Sequence, residues 1–163
     1  MTTAIRQLLD KSLSLMIIAC MASLVLIVLW QVFSRFILSN PSTATDEIAC
    51  FLMVCIALLG GAYTAGQHRH LVIDILIEKL PRSFRLAVDI FCQLMIAAFA
   101  LTVMIAGGGW FAASALNMGQ ISPATGVYVG CLYCVIPLSG LFLLLYSLLT
   151  CCDLIFSQTG EKN

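Results

Sequence analysis

Three groups of residues in this chain could do chemistry: the C-x-x-C pair Cys131 and Cys134, the histidines His68 and His70 flanking Arg69, and Arg35 followed by the acidic doublet Asp46 and Glu47. A C-x-x-C supports thiol–disulfide exchange only where the thiols are exposed and activated. Here the pair sits in a long apolar run, and on a helix its spacing merely sets two thiols one turn apart. Cys20, Cys50, Cys55, Cys92, Cys151 and Cys152 likewise fall within or at the ends of apolar runs, so all eight read as small packing residues. His68 and His70 have no cysteine or carboxylate at ligand spacing, and no histidine lies inside an apolar run to serve as a haem axial ligand. Gly107, Gly108 and Gly109 lack the strand-loop-helix setting of a phosphate cradle. No catalytic residue, metal site or cofactor is therefore expected, and the polar group that remains is Arg35, Asp46 and Glu47.

The elements that position these residues follow from where charge is missing. Residues 12–34, 48–67 and 90–152 contain no Asp, Glu, Lys or Arg, and 61% of the chain is hydrophobic against 10% charged. A helix needs about 20 mostly apolar residues to cross a hydrocarbon core of roughly 30 Å. The first two gaps each hold one span, and the third holds two. The expected fold is an all-α integral membrane protein, one domain over 1–163, with transmembrane helices near 13–33, 48–67, 88–115 and 124–150. The first run is too long for a signal-peptide core and lacks a small-residue cleavage site, so it is expected to remain as a span. Such composition excludes nucleic-acid binding. Charged groups inside a bilayer usually mark ion pathways or proton relays, and without any this chain is poorly equipped to couple transport by itself.

Four spans put the two termini and the middle loop on one side, with Arg6, Lys11, Arg69, Lys79, Arg82, Arg85 and Lys162; the other side has Arg35. The positive-inside rule then places both termini in the cytoplasm. Residues 1–11 form an amphipathic lead-in expected to lie at the interface. In the middle loop, Asp74, Glu78, Arg82, Arg85 and Asp89 make one polar stripe among Leu71, Val72, Ile73, Ile75, Leu76, Ile77 and Leu80. The stretch 71–80 is too short to span and reads as an amphipathic interfacial helix on the cytoplasmic side, its basic residues meeting anionic lipid. Pro81 suits the first turn of the next helix.

At the outer face, Gln31 and Arg35 share a helix face, and Trp30, Phe33 and Phe36 lie at headgroup depth. Thr43 and Asp46 have capping-box spacing, and Asp46 and Glu47 suit the positive end of a helix dipole. Two readings stand for the doublet: simple capping, or pairing with Arg35 that ties spans one and two together or docks a partner. Ala57, Gly61 and Ala65 form a small-residue stripe, a packing seam either within the chain or between subunits. The triple glycine at 107–109 suggests close helix approach or a bend. Ser122 and Pro123 read as cap and first residue of span four, Gly126 and Gly130 are spaced for close packing, and Pro137 is placed to kink the span.

The run Trp30-Gln31-Val32-Phe33-Ser34-Arg35-Phe36, then Asn40-Pro41, Asp46-Glu47, residues 51–63 ending in Leu-Leu-Gly-Gly-Ala-Tyr, His70 with Asp74, Ile121-Ser122-Pro123 and residues 133–140 together resemble the small membrane subunit, DctQ type, of the TRAP (tripartite ATP-independent periplasmic) transporters. The family's basic or aromatic residue after the doublet is replaced here by Cys50. The resemblance implies a non-catalytic scaffold in the bacterial inner membrane. Its implied partners are a large multi-span subunit, DctM type, that holds the substrate and Na⁺ sites, and a periplasmic protein that captures an organic acid such as sialic acid or a C4-dicarboxylate. It also makes Gln31, Arg35, Asp46, Glu47, Gly61, His70, Ser122 and Pro123 candidate interface or structural residues.

Two other classes are consistent with four spans. A disulfide-generating quinone oxidoreductase needs cysteine pairs in outer segments, and 35–47 and 117–123 contain none. A small multidrug exporter needs an acidic residue inside a span, which is also missing. An assembly factor for some other membrane complex is the remaining alternative.

Overall fold

A computed structural model describes residues 2–38, 42–67 and 82–160. It is all helical apart from one isolated antiparallel bridge, Ile121 to Tyr128, in a loop. Four helical stretches are long and apolar enough to cross a membrane: Arg6–Phe36, Thr43–Gly66, Ala87–Asn117 and Val129–Leu154. The expected interfacial helix at 71–80, together with His70 and Pro81, lies outside the described residues.

Span one is α1, Thr2–Phe36, a single helix of 35 residues, about 52 Å long. The lead-in is thus not a separate interfacial element. It prolongs span one because nothing between Asp10 and Leu13 breaks a helix, and because its polar residues find partners on span four. Span two is α2, Thr43–Gly66. Its capping position is Ser42, with no side-chain cap bond, so the expected Thr43–Asp46 capping box does not form. Thr43 is already the first helical residue, one position too late for its hydroxyl to cap.

Span three is one continuous rod in three parts: α3 (Arg82–Phe99), a π-helical segment (Ala100–Gly107) and α4 (Gly108–Asn117). The triple glycine marks the exit from the wider π winding, and a Cβ on Gly108 would lie 2.6 Å from Ile136 Cγ2 of span four. Span four is split into α5 (Val129–Tyr133) and α6 (Val135–Gly160) with a break at Cys134. Pro137 accounts for the break: it has no N–H to offer the Tyr133 carbonyl one turn earlier, and its ring crowds that position.

The helix start expected at Ser122–Pro123 is not there. Ser122 instead anchors a tight loop: its N–H donates to the Val127 carbonyl at 2.9 Å, and its Oγ accepts from the Thr125 hydroxyl at 2.8 Å and the Thr125 N–H at 3.3 Å. Gly126, at φ +70, turns the chain back, so the helix is delayed to Val129.

Span four is the hub. α6 packs against α2, α3 and the π segment, and more lightly against α1, whereas α1 packs chiefly against α2. Only 6% of the apolar stretch of α1 is buried among the described residues, against 22% for that of span four. A buried cluster of Leu13, Leu59, Ala62 and Tyr146 forms where α1, α2 and α6 meet.

Candidate functional site

Polar groups gather at the two ends of the bundle, and they differ in kind. At the end carrying the termini, Tyr146 is 1% exposed and its hydroxyl donates to Asp10 Oδ1 at 2.5 Å. One turn earlier on α1, Arg6 donates through Nη2 to Thr150 Oγ1 at 3.0 Å and pairs through Nη1 with Asp153 Oδ2 at 3.4 Å. Arg6 and Asp10 are four apart on α1; Tyr146, Thr150 and Asp153 descend one face of α6. The first and last spans are thereby clasped side by side.

Slightly deeper, Ser147 Oγ lies 2.6 Å from the Gln93 carbonyl and 3.0 Å from Gln93 Oε1, joining span three to span four in a fully buried contact. Interhelical hydrogen bonds of this kind average roughly 0.6 kcal/mol in membrane proteins. Ser147→Ala should therefore lower the stability of the reconstituted protein by about 0.5–1 kcal/mol, read as a shift of its unfolding equilibrium in bicelles.

At the opposite end, Gln31 and Asp46 are brought together: the Gln31 amide donates to Asp46 Oδ1 at 3.0 Å, tying α1 to α2. Arg35 does not pair with either carboxylate; it is exposed, and the ion pair among the described residues is Arg6–Asp153. Register explains the substitution of partner. In antiparallel helices, going one turn out from Gln31 to Arg35 means going one turn back from Asp46 to Ser42, so Arg35 is level with the loop rather than the doublet. Glu47 is half-buried, and its Oε2 is closed off from solvent without a hydrogen-bond partner among the described residues. Trp30 and Phe33 stack with ring centroids 5.9 Å apart on this end of α1, giving it an aromatic collar.

Among the described residues nothing packs against the small-residue stripe of α2 at Gly61. Gly61 is exposed, and a Cβ on Gly60 or Gly61 would meet nothing within 4 Å. The inward face is Leu59, Ala62 and Gly66, where a Cβ on Gly66 would strike the Tyr146 ring at 2.6 Å. Ser122 is buried inside its loop while Pro123 is exposed. All eight cysteines are free thiols, and the Cys134 thiol lies 3.4 Å from the Gly130 carbonyl.

Among the described residues no charged side chain sits more than about two turns inside any of the four spans. Residues 24–156 match the family model for the DctQ component of the tripartite ATP-independent periplasmic transporters. The chain belongs to the DctQ family. It is similar to a Haemophilus influenzae protein named as a TRAP transporter small permease protein, 22% identical over 141 residues that cover 86% of each chain. It is also similar to the sialic acid TRAP transporter small permease protein of Vibrio cholerae, 23% identical over 103 residues, covering 63% of this chain and 60% of the relative. As a DctQ component it is a non-catalytic subunit of a TRAP transporter, and a multi-pass inner-membrane protein. The quinone oxidoreductase alternative falls with that assignment.

Sequence reasoning missed the clasp of Arg6, Asp10, Tyr146, Thr150 and Asp153. The signal was available in part: Arg6 and Asp10 are one turn apart, and Tyr146 and Thr150 stand among leucines in span four.

Proposed function

We propose that this DctQ subunit braces a large DctM-type membrane subunit in a Na⁺-coupled TRAP system importing an organic acid delivered by a periplasmic binding protein. The observation that supports this reading is the interior of the spans: with no Asp, Glu, Lys, Arg or His at bilayer depth among the described residues, the holding of Na⁺ and substrate is assigned to a partner. The small subunit itself then needs no cofactor or metal. The sialic acid system named for the Vibrio cholerae relative favours sialic acid or a similar carboxylate as cargo. The excess of Lys and Arg on the side of the termini supports N-in and C-in orientation.

Two surfaces suit the partner. One is the open stripe through Ala57 and Gly61, where a helix from the large subunit could approach closely. The other is the outer collar with Arg35, whose guanidinium is not engaged by the doublet. Arg35→Ala should reduce copurification of the large subunit with this chain several-fold, while binding-protein affinity for substrate stays unchanged. Copurification at wild-type yield would remove Arg35 from the interface.

A further inference from the structure

Spans three and four are interrupted at the same level. In span three the π segment hands over to α4 at Gly107, Gly108 and Gly109. In span four α5 stops at Tyr133 and α6 starts at Val135, with Pro137 in its first turn. The two interruptions face each other: a Cβ on Gly108 would lie 2.6 Å from Ile136 Cγ2 and 3.4 Å from Pro137 Cδ. Helices bend at prolines and at π windings, and small residues at element ends often serve as hinges. A bend in one span alone would be resisted by a continuous rod beside it, whereas paired interruptions allow both spans to bend together.

Beyond this level the chain packs on itself. α4, the Ser122 loop and α5 form a hairpin over 108–133 in which the Phe111 and Tyr133 rings lie 4.7 Å apart. Gly130 approaches Leu116 so closely that a Cβ would lie 2.5 Å from Leu116 Cγ. The Val129 N–H donates to the Gln120 carbonyl at 3.0 Å, and the Gln120 N–H to the Ala115 carbonyl at 3.2 Å. Among the described residues α4 and α5 pack chiefly against each other, lightly against α6, and neither packs along α1 or α2. Where the hairpin faces α2 there is instead a cavity of about 140 Å³, with Phe51 and Leu52 on one side and Val127 and Leu132 on the other. The contacts that pin span four all lie on the termini side of the interruptions: Tyr146 against Gly66, Ser147 with Gln93, and Gly140 against Met104. The Gln31–Asp46 bond ties α1 to α2 and leaves the hairpin out.

We propose that the 108–133 hairpin is a hinged lid, which pivots as a unit about Gly107–Gly109 and Cys134–Pro137 and closes the cavity by bringing Val127 and Leu132 onto Phe51 and Leu52. Closure gains the dispersion contacts that an open gap forfeits and breaks none of the contacts on the termini side. α4 has ten residues and is about 15 Å long. A rotation of about 15° on that lever carries its far end about 4 Å, roughly one carbon–carbon contact distance. The movement belongs to this chain's own spans and is independent of the cargo.

The test is fluorine NMR on the full-length chain with its copurifying membrane partner in nanodiscs. Trifluoromethylphenylalanine replaces Phe51, on the cavity wall, or, as a control, Phe142, which packs against the Tyr146 cluster. The Phe51 probe should report two populations, seen as separate signals or as relaxation dispersion, and the Phe142 probe one. Two variants stiffen the hinge from opposite sides. Gly107→Ala with Gly109→Ala restricts the backbone of span three at positions where a Cβ meets nothing closer than 3.5 Å. Pro137→Ala restores the missing N–H in span four. Each should shift the ratio of the two populations several-fold while the Phe142 signal stays in place and reports that the variant is folded. A single sharp Phe51 signal without dispersion in the unmodified chain would overturn the proposal. So would two populations whose ratio neither hinge variant changes, the pattern expected if the Phe51 ring alone reorients.

Discussion

Tyr146→Ala is expected to destabilise the protein by about 2–3 kcal/mol, the order found when a large buried side chain leaves a cavity behind. In lipid there is little hydrophobic gain from burying one helix against another, so packing carries most of the association, and Tyr146 supplies much of that packing. It is 1% exposed, meets Leu13, Leu59 and Ala62, and fits against Gly66 with no room for a Cβ between them. Its hydroxyl also holds Asp10 and with it the N-terminal end of α1. Tyr146→Phe keeps the ring and loses the hydrogen bond, a cost of about 1 kcal/mol. Steric trapping or thermal melting of the purified protein separates the two. Equal losses for the Ala and Phe variants would mean that the hydroxyl, not the ring, holds the three helices together.

Gly140→Val is expected to cost about 1–3 kcal/mol through overpacking and to push span three off span four. A Cβ there would lie 2.6 Å from Met104 Cβ, 3.2 Å from Ile105 Cγ1 and 3.4 Å from the Ala100 carbonyl oxygen. Two of these atoms are fixed close to the backbone of the π segment, so no rotamer change relieves the clash. Gly109, in the same region, faces open space. Gly109→Ala should be tolerated, with a gain in helix propensity of up to about 1 kcal/mol. The measurement is the melting temperature of both variants in the same detergent. A Gly140→Val protein as stable as Gly109→Ala would contradict the close approach of spans three and four.

Both positions show where sequence reading reaches its limit. The number of spans was legible because uncharged runs of the required length are a one-dimensional property. The family was legible because Trp30 to Phe36, the Asp46–Glu47 doublet and Ile121-Ser122-Pro123 occur in order. Which glycine faces a neighbour was not: Gly61 and Gly66 both lie on α2, yet one is open and the other touches Tyr146. That choice depends on how the helix is rotated, which its nearly uniform apolar surface does not record. The outer site was half legible. Gln31 and Arg35 share a helix face as expected, but the pairing expected of Arg35 with Asp46 or Glu47 is not made; the Gln31 amide reaches Asp46, because the antiparallel register puts Gln31 level with it. Ser122 and Pro123 misled because Ser-Pro opens tight turns as readily as helices, and Gly126 three residues later favours the turn.

The clasp near the termini bears on the proposed brace. Arg6, Asp10, Tyr146, Thr150 and Asp153 join the first and last spans, Ser147 and Gln93 join the last two, and Gln31 and Asp46 join the first two. Every neighbouring pair of spans is thus pinned by at least a polar contact or a close-packed glycine. A subunit that must stay still while its partner moves requires that rigidity.

The measurement that tests the central claim most directly is Na⁺-dependent uptake of a radiolabelled organic acid into proteoliposomes containing the large subunit and its binding protein, with and without this chain. Uptake is expected to require the chain, while the chain reconstituted alone binds neither Na⁺ nor the acid. Undiminished uptake without it, or Na⁺ binding by the chain alone, would contradict its role as a passive brace.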